Sequence, residues 1–281
     1  MNCDLHMHSL FSDGTYTPAE IVAEAKEIGL GVIALTDHNT VAGLPDFIRE
    51  AEQQGVMAVG GVELSTVHEG NEYHLLGLFI APEHYHRVER LAKEFHVLKE
   101  ISNIETVERL NDAGYMISYA DVRKKNPTGN VNRAHIATEL MEKGYVESVS
   151  HAFRELLSDG GGFYVPPQRL QLIDAILFLR QINAVPVLAH PLQDADEGTI
   201  RNLLPAAVEA GLIGLETRHS SFDKATIETA EKIAADFNLL PSGGSDFHGK
   251  TKPDVYMGTG KGDLVIPMEF YHKLHEAHTR L

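Results

Sequence analysis

The sequence predicts a barrel-like α/β fold interrupted by one helical insertion. Three observations predict it: strand and helix patterns alternate over residues 1–82, helix patterns alone fill 83–166, and the alternation returns over 167–281. The first strand is Asp4 to His8, where polar and apolar residues alternate up to the turn Ser12-Asp13-Gly14. Thr17-Pro18-Ala19-Glu20 reads as a capping box with proline at the first helical position, opening a helix to about Gly29. Val32 to Leu35 is a short buried strand ending at Thr36-Asp37-His38, and a helix from about Gly43 to Gln54 stops at Gly55. Val56 to Leu64 and Tyr73 to Ile80 are the next strands. His68-Glu69-Gly70-Asn71 between them is turn-like, so an antiparallel hairpin is expected to carry Tyr73 and His74 back beside Leu64 and Glu63.

The insertion opens with a long helical stretch, about Glu83 to Ala113, continues in shorter helices and closes in the loop Ser158-Asp159-Gly160-Gly161-Gly162. The alternation then resumes with a helix from about Leu170 to Asn183, strand Val185 to Ala189 and a helix from about Glu197 to Ala210. Strand Leu212 to Glu216, helix Asp223 to Asp236, strand Leu239 to Ser242 and a helix from about Pro267 complete the chain.

The 281 residues suffice for a sizeable core. With 40 acidic and 24 basic residues the formal charge is −16, which argues against a duplex-DNA or anionic-membrane surface. No apolar run is long enough to span a bilayer and MNCDLHMHS has no signal-peptide pattern, so a soluble cytoplasmic protein is expected. The single Cys3 forbids an intramolecular disulfide and a thiolate metal cluster, and packing suits it better than catalysis. Sixteen histidines in so acidic a chain direct attention to hard or borderline cations.

Their placement supports that reading. On a strand, residues i, i+2 and i+4 share a face, so Asp4, His6 and His8 point one way and two imidazoles can grip one ion. A polar strand face satisfied by hydrogen bonds explains His-x-His alone equally well. Similar pieces recur, however, where strands end, which is where α/β barrels build their sites. His38 follows one strand, Glu63 sits near the end of the next, His190 follows another, and Asp246-Phe247-His248 follows the last; the hairpin adds His74.

These segments resemble one family. Asp4-Leu5-His6-Met7-His8-Ser9, Thr36-Asp37-His38-Asn39, Gly61-Val62-Glu63, Leu188-Ala189-His190-Pro191 and Gly244-Ser245-Asp246-Phe247-His248 match, in order, the motifs of the PHP (polymerase and histidinol phosphatase) family. The resemblance implies a distorted (β/α)7 barrel, here residues 1–82 with 167–281, and a cluster of three divalent ions. On matching positions, His6, His8, Glu63 and Asp246 would hold one ion, Asp13, His38 and His248 a second, and Glu63, His74 and His190 a third, with Glu63 bridging. The all-nitrogen-and-oxygen set permits Mn²⁺, Fe²⁺ or Zn²⁺, and the resemblance favours Mn²⁺.

Three such ions bring +6 against −3 from Asp13, Glu63 and Asp246, so the site would be positive within an acidic protein and would suit a phosphate ester. A water bridging two ions would lose a proton near neutral pH and attack phosphorus in line. Ser12-Asp13-Gly14, the insertion, and Gly214-Leu215-Glu216 followed by His219 resemble the branch acting on nucleoside 3′,5′-bisphosphates, some of whose members trim short RNA from its 5′ end. Arg218 departs from the tyrosine common there. The expected activity is hydrolysis of a small nucleotide's phosphomonoester, above all the 3′-phosphate of a nucleoside 3′,5′-bisphosphate. Alternatives are a 5′-mononucleotide or histidinol phosphate phosphatase, a 5′–3′ exonuclease on short RNA, an amidohydrolase-type barrel, and a metal- or nucleotide-binding sensor.

Asp246, His248 and Arg133 are the expected catalytic residues. Arg133, starting a helix of the insertion in Asn130-Val131-Asn132-Arg133, is expected to clamp a phosphate, with His219 and Lys250 as further substrate contacts. The insertion is expected to roof the metal rim.

Overall fold

The computed structural model describes residues 2–126, 131–158 and 162–281. Asn130, and Asp159, Gly160 and Gly161 of the glycine-rich loop, lie outside the described residues. The elements are β1 (Cys3–Asp4), α1 (Pro18–Glu27), β2 (Val32–Leu35), α2 (Leu44–Gln54), β3 (Met57–His68), β4 (Asn71–Leu78), α3 (Tyr85–Asp112), α4 (Tyr119–Lys124), α5 (Arg133–Glu142) and α6 (Val149–Glu155). There follow α7 (Leu172–Gln181), β5 (Val185–Leu188), α8 (Glu197–Glu209), β6 (Gly214–His219), α9 (Lys224–Asp236), β7 (Leu240–Gly244) and α10 (Met268–His278). Two compact units result, residues 1–90 with 170–281, and 91–169.

In the first unit the seven strands lie in sequence order, and all neighbours are parallel except β3–β4 and β4–β5. The sheet closes on itself as a barrel. Leu5 donates to the Gly243 carbonyl at 3.2 Å, and Met7 bridges Phe247 in parallel. The first strand is therefore shorter than its alternation predicts: past Asp4 the regular ladder with β2 ends, and the chain runs on between Thr36, which donates to the Met7 carbonyl at 2.9 Å, and the extension of β7. Closure brings the two chains very near, since a Cβ on Gly244 would stand 2.1 Å from that of His6. Only glycine fits there.

Cys3, Leu5, Val32, Ala34, Val185 and Val187 pack with Phe270 and Leu274 in one buried cluster. The α1 start carries both capping-box bonds between Thr17 and Glu20, and Gly55 ends α2 in the left-handed conformation at φ 71°. The β3–β4 turn has φ 49° at Glu69 and 83° at Gly70, the two positive values a two-residue hairpin needs. Its register pairs Ser65 with His74 and Glu63 with Leu76, so His74 sits diagonally from Glu63 on one face rather than beside it. The second unit has its own core, including Leu110, Val122, Ile136, Leu140 and Leu157.

Candidate metal centre

Glu63, on β3, is the hub. Its carboxylate is fully buried, and its two oxygens face different imidazoles. Oε2 lies 3.0 Å from His6 Nε2, 3.1 Å from His8 Nε2 and 3.1 Å from His38 Nδ1; Oε1 lies 2.8 Å from His74 Nδ1 and 3.0 Å from His190 Nε2. Asp246 divides in the same manner. Oδ1 is 3.2 Å from His8 Nε2, whereas Oδ2 meets Lys252 Nζ at 2.6 Å and His219 Nε2 at 3.3 Å. Half-exposed Asp13 faces His248 Nε2 at 3.2 Å.

Backbone irregularities aim these groups. His190 and Asp246 take φ values of 26° and 56°, left-handed conformations that non-glycine residues rarely adopt. Asp37 holds the loop that carries Asp13: it accepts from Ser9 N, Ser9 Oγ and Ser12 Oγ, each at 2.7 Å. Asp4, fully buried, ties β1 to the loop after β7 by accepting from Ser245 N at 2.9 Å and Gly258 N at 2.7 Å.

The fit to metal ions is tested by atoms that hydrogen bonding leaves over. His6 Nε2, both nitrogens of His8 and Glu63 Oε2 are buried without a hydrogen-bond partner among the described residues. Such atoms are costly to bury unless something else satisfies them. His6 Nε2 and His8 Nε2 nonetheless stand 3.0 and 3.1 Å from Glu63 Oε2, while His8 Nδ1 faces Asp13 at 3.9 Å. Two atoms each about 2.1 Å from one ion and at right angles are about 3.0 Å apart, so the spacing suits shared coordination. Four groups of ligand atoms, each within 4.8 Å, occur among the described residues: His6, His8, Glu63 and Asp246; His8, Asp13, His38 and His248; His38, Glu63 and His74; and His6, Glu216 and His219.

Ring tautomers agree. The His248 Nδ1 lies 2.8 Å from the Asp246 carbonyl, so it carries the proton and leaves the Nε2 lone pair facing Asp13. Burial and the neighbouring carboxylates compete at these rings. Burial acts to lower the pKa of His74, but Glu63 and Glu72 prevail and raise it to about 10. Burial likewise opposes the shift at His6, where Glu63 and Glu216 raise it well above the usual imidazole value. Burial outweighs the carboxylates at His38, lowering it to about 4. Glu63 and Asp246, although buried, are held well below the usual carboxylate range by the surrounding imidazoles.

A cavity of about 580 Å³ opens over this rim, lined by His38, Glu63, His74, His190 and Asp246. Its wall includes Glu72, Asp194 and Asp196, and its one Lys or Arg among the described residues is Lys252. Lys250, the lysine expected in that role, is exposed, and its backbone N–H donates to Thr15 at 2.8 Å. Arg133 belongs to the second unit, where its guanidinium lies 4.2 Å from the Tyr164 ring centroid and bonds the Leu157 carbonyl. Cys3 is inert: burial foremost, with Asp4, pushes its thiol up to about 12.

Glu216 and Lys252 acquire roles that the pattern did not give them. His219 belongs to β6 rather than to a following loop, and Glu216 meets His6. A bulge between Glu216 and Arg218 breaks the strand period, so residues three apart reach one cluster. Lys252 had no sequence signal beyond nearness to His248.

The PHP domain model matches residues 4–165. The chain belongs to the PHP family of metal-dependent phosphoesterases. It is 32% identical to a 5′-3′ exoribonuclease of Haemophilus influenzae over 94% of this chain and 97% of that one. It is 30% identical to a 3′,5′-nucleoside bisphosphate phosphatase of Chromobacterium violaceum, over 88% and 87%. Among solved structures, a presumed metal-dependent phosphoesterase of Bifidobacterium adolescentis superposes with a TM-score of 0.67 at 27% identity, covering 97% of this chain and 94% of that one. This PHP fold with its His, Asp and Glu groups is a hydrolase centre able to hold metal, and no described helix is long and apolar enough to cross a membrane.

Proposed function

We propose that the chain removes the 3′-phosphate from nucleoside 3′,5′-bisphosphates at a centre of three divalent ions, Mn²⁺ by preference. The division of Glu63 between two sets of imidazoles carries the reading, because a carboxylate so placed can serve adjacent ions with separate oxygens. His6, His8, Glu63 and Asp246 would hold one ion, Asp13, His38 and His248 a second, and Glu63, His74 and His190 a third. Such ions, when bound, polarise a phosphoryl oxygen and acidify water.

The protein's own groups do the rest. Lys252 and His219 both converge on Asp246 Oδ2, Lys252 from the cavity wall and His219 from within the buried cluster. There they can donate to oxygens of a bound phosphoryl group and hold it against the rim. The His219 Nδ1 accepts the Ser221 N–H at 3.1 Å, which leaves the proton of the neutral ring on Nε2, pointing at Asp246. The carboxylates of the cavity wall repel a second phosphate, so that group is assigned to the Lys252 side. Lys252 thereby takes the role expected of Lys250, and Arg133 remains a second candidate.

A second reading rests on the Haemophilus relative: 5′–3′ trimming of short RNA by the same centre. The deciding measurement is kcat/KM, with Mn²⁺, for adenosine 3′,5′-bisphosphate, adenosine 5′-monophosphate and a 5′-phosphorylated RNA tetramer. The proposal expects the bisphosphate to lead and its 3′-phosphate to be the group released. A tetramer degraded faster than either nucleotide would replace it with the nuclease reading, and no turnover of any of the three would remove both.

A further inference from the structure

Glu216 lies in the barrel wall on β6 with no exposed surface. Its Oε1 is 3.2 Å from His6 Nδ1, and its Oε2 accepts the backbone N–H of His190 at 2.7 Å. One carboxylate thus reaches a side chain and a backbone amide of two cluster residues on different segments, the stretch after β1 and the loop after β5. One of them, His190, sits in a left-handed conformation at φ 26°. Proximity alone would place Glu216 with His6 and His219 as a further ion site. Hydrogen bonding argues otherwise. The Ser221 N–H occupies the Nδ1 lone pair of His219, so the neutral ring offers no second lone pair. Both oxygens of Glu216 already meet donors.

We propose that Glu216 is a positioning residue that fixes the ring of His6 and the backbone of His190, so that both present Nε2 to Glu63. The inference rests on the metal-centre reading above. A neutral imidazole has one proton and one lone pair. By accepting from Nδ1–H, Glu216 places the lone pair on Nε2, the atom that is buried, unpartnered and 3.0 Å from Glu63 Oε2. The bond to the His190 amide holds that residue in its strained conformation, with Nε2 at 3.0 Å from Glu63 Oε1. A carboxylate behind a ligating imidazole also raises its basicity, and removing such a partner weakens metal binding about 10- to 100-fold.

The test is Mn²⁺ binding to wild type and Glu216→Gln, read as free Mn²⁺ by electron paramagnetic resonance, with near-UV circular dichroism to confirm the fold. Glutamine keeps the size but loses the charge and has a single acceptor oxygen, so either the 3.2 Å contact to His6 Nδ1 or the 2.7 Å contact to the His190 N–H meets an N–H₂ group. The expected result is a folded variant whose tightest Mn²⁺ site is weakened about 10- to 100-fold. Binding within twofold of wild type would overturn the proposal. A second measurement needs no variant: ¹⁵N spectra of Zn²⁺-loaded wild type should show His6 with its proton on Nδ1. A proton on Nε2 would overturn the proposal even if Glu216→Gln failed to fold. Wild type that bound neither ion would instead remove the metal-centre reading itself.

Discussion

Replacing Glu63 with glutamine probes the centre at its most connected point. Five imidazole nitrogens lie within 3.1 Å of its two oxygens, three on one side and two on the other. An amide has a single acceptor oxygen, so Glu63→Gln must turn an N–H₂ towards one of the two sets. A contact to a charged group is worth about 1.5–3 kcal/mol, so the set that loses its oxygen should bind its ion at least ~10- to 150-fold less tightly. The other set loses charge but keeps a ligand. Equilibrium dialysis at a fixed Mn²⁺ concentration about tenfold above the wild-type dissociation constant should show wild type holding about three ions and the variant one or two, by a tenfold-per-1.4 kcal/mol conversion. Phosphatase turnover should fall with the missing ion. A variant that retained wild-type stoichiometry and affinity would refute the bridging role and separate the two imidazole sets.

Asp13→Asn should weaken Mn²⁺ binding less than Glu63→Gln does, because Asp13 is half-exposed and water can substitute for its oxygen; equal losses in dialysis would contradict this. Lys252→Ala should lower kcat/KM for adenosine 3′,5′-bisphosphate by about 10- to 150-fold while leaving Mn²⁺ stoichiometry intact, and Arg133→Ala should have the smaller effect; the reverse order would return the second phosphate to Arg133. Mn²⁺ titration near pH 7 should release protons, since His74 must give up the one it holds with a pKa of about 10. The same shift fixes a sign in the metal-free protein. Its folded pKa lies above the unfolded imidazole value near 6.5, so the stabilisation is complete below about pH 6.5 and is lost as pH rises through 10. Calorimetry in buffers of different ionisation enthalpy measures the release, and a titration without proton exchange would be inconsistent with it.

What the sequence made legible is what simple periods encode. The capping box at Thr17 and the strand Val32–Leu35 stand where their residues put them. The strand ends marked His190 and Asp246, because a barrel collects its chemistry there; Glu63, expected near a strand end, lies inside β3, which runs on to His68 in the hairpin with β4. Departures arise where the period breaks. His6 and His8 come together, yet β1 stops at Asp4 and the following residues bond irregularly to Thr36 on one side and to Gly243 and Phe247 on the other, a break in the ladder that no single segment announces. Glu216 was visible only as part of a motif. In a regular strand residues i and i+3 face opposite ways, and the bulge that brings Glu216 and His219 to one side depends on pairing with β7. Lys252 was hidden because nothing local distinguishes it from Lys250; the turn after His248 decides which one reaches Asp246.

These irregularities share a location and a physical cause. Left-handed backbone at His190 and Asp246, the bulge in β6, and the close crossing at Gly244 all lie at the ligand cluster. Each costs stability by itself, and buried imidazole and carboxylate atoms without hydrogen-bond partners cost more. The rest of the barrel must therefore over-determine the rim. Asp4 does so by tying β1 to the loop after β7, Asp37 by tying Ser9 to the segment after β2, and Glu216 by joining His6 to the loop after β5. Bound ions complete the arrangement, since anything that binds the folded state alone stabilises it. The rigid wall and the strained rim are thus parts of one design: carboxylates that never touch substrate hold the histidines where an ion can take the place of the missing hydrogen bonds.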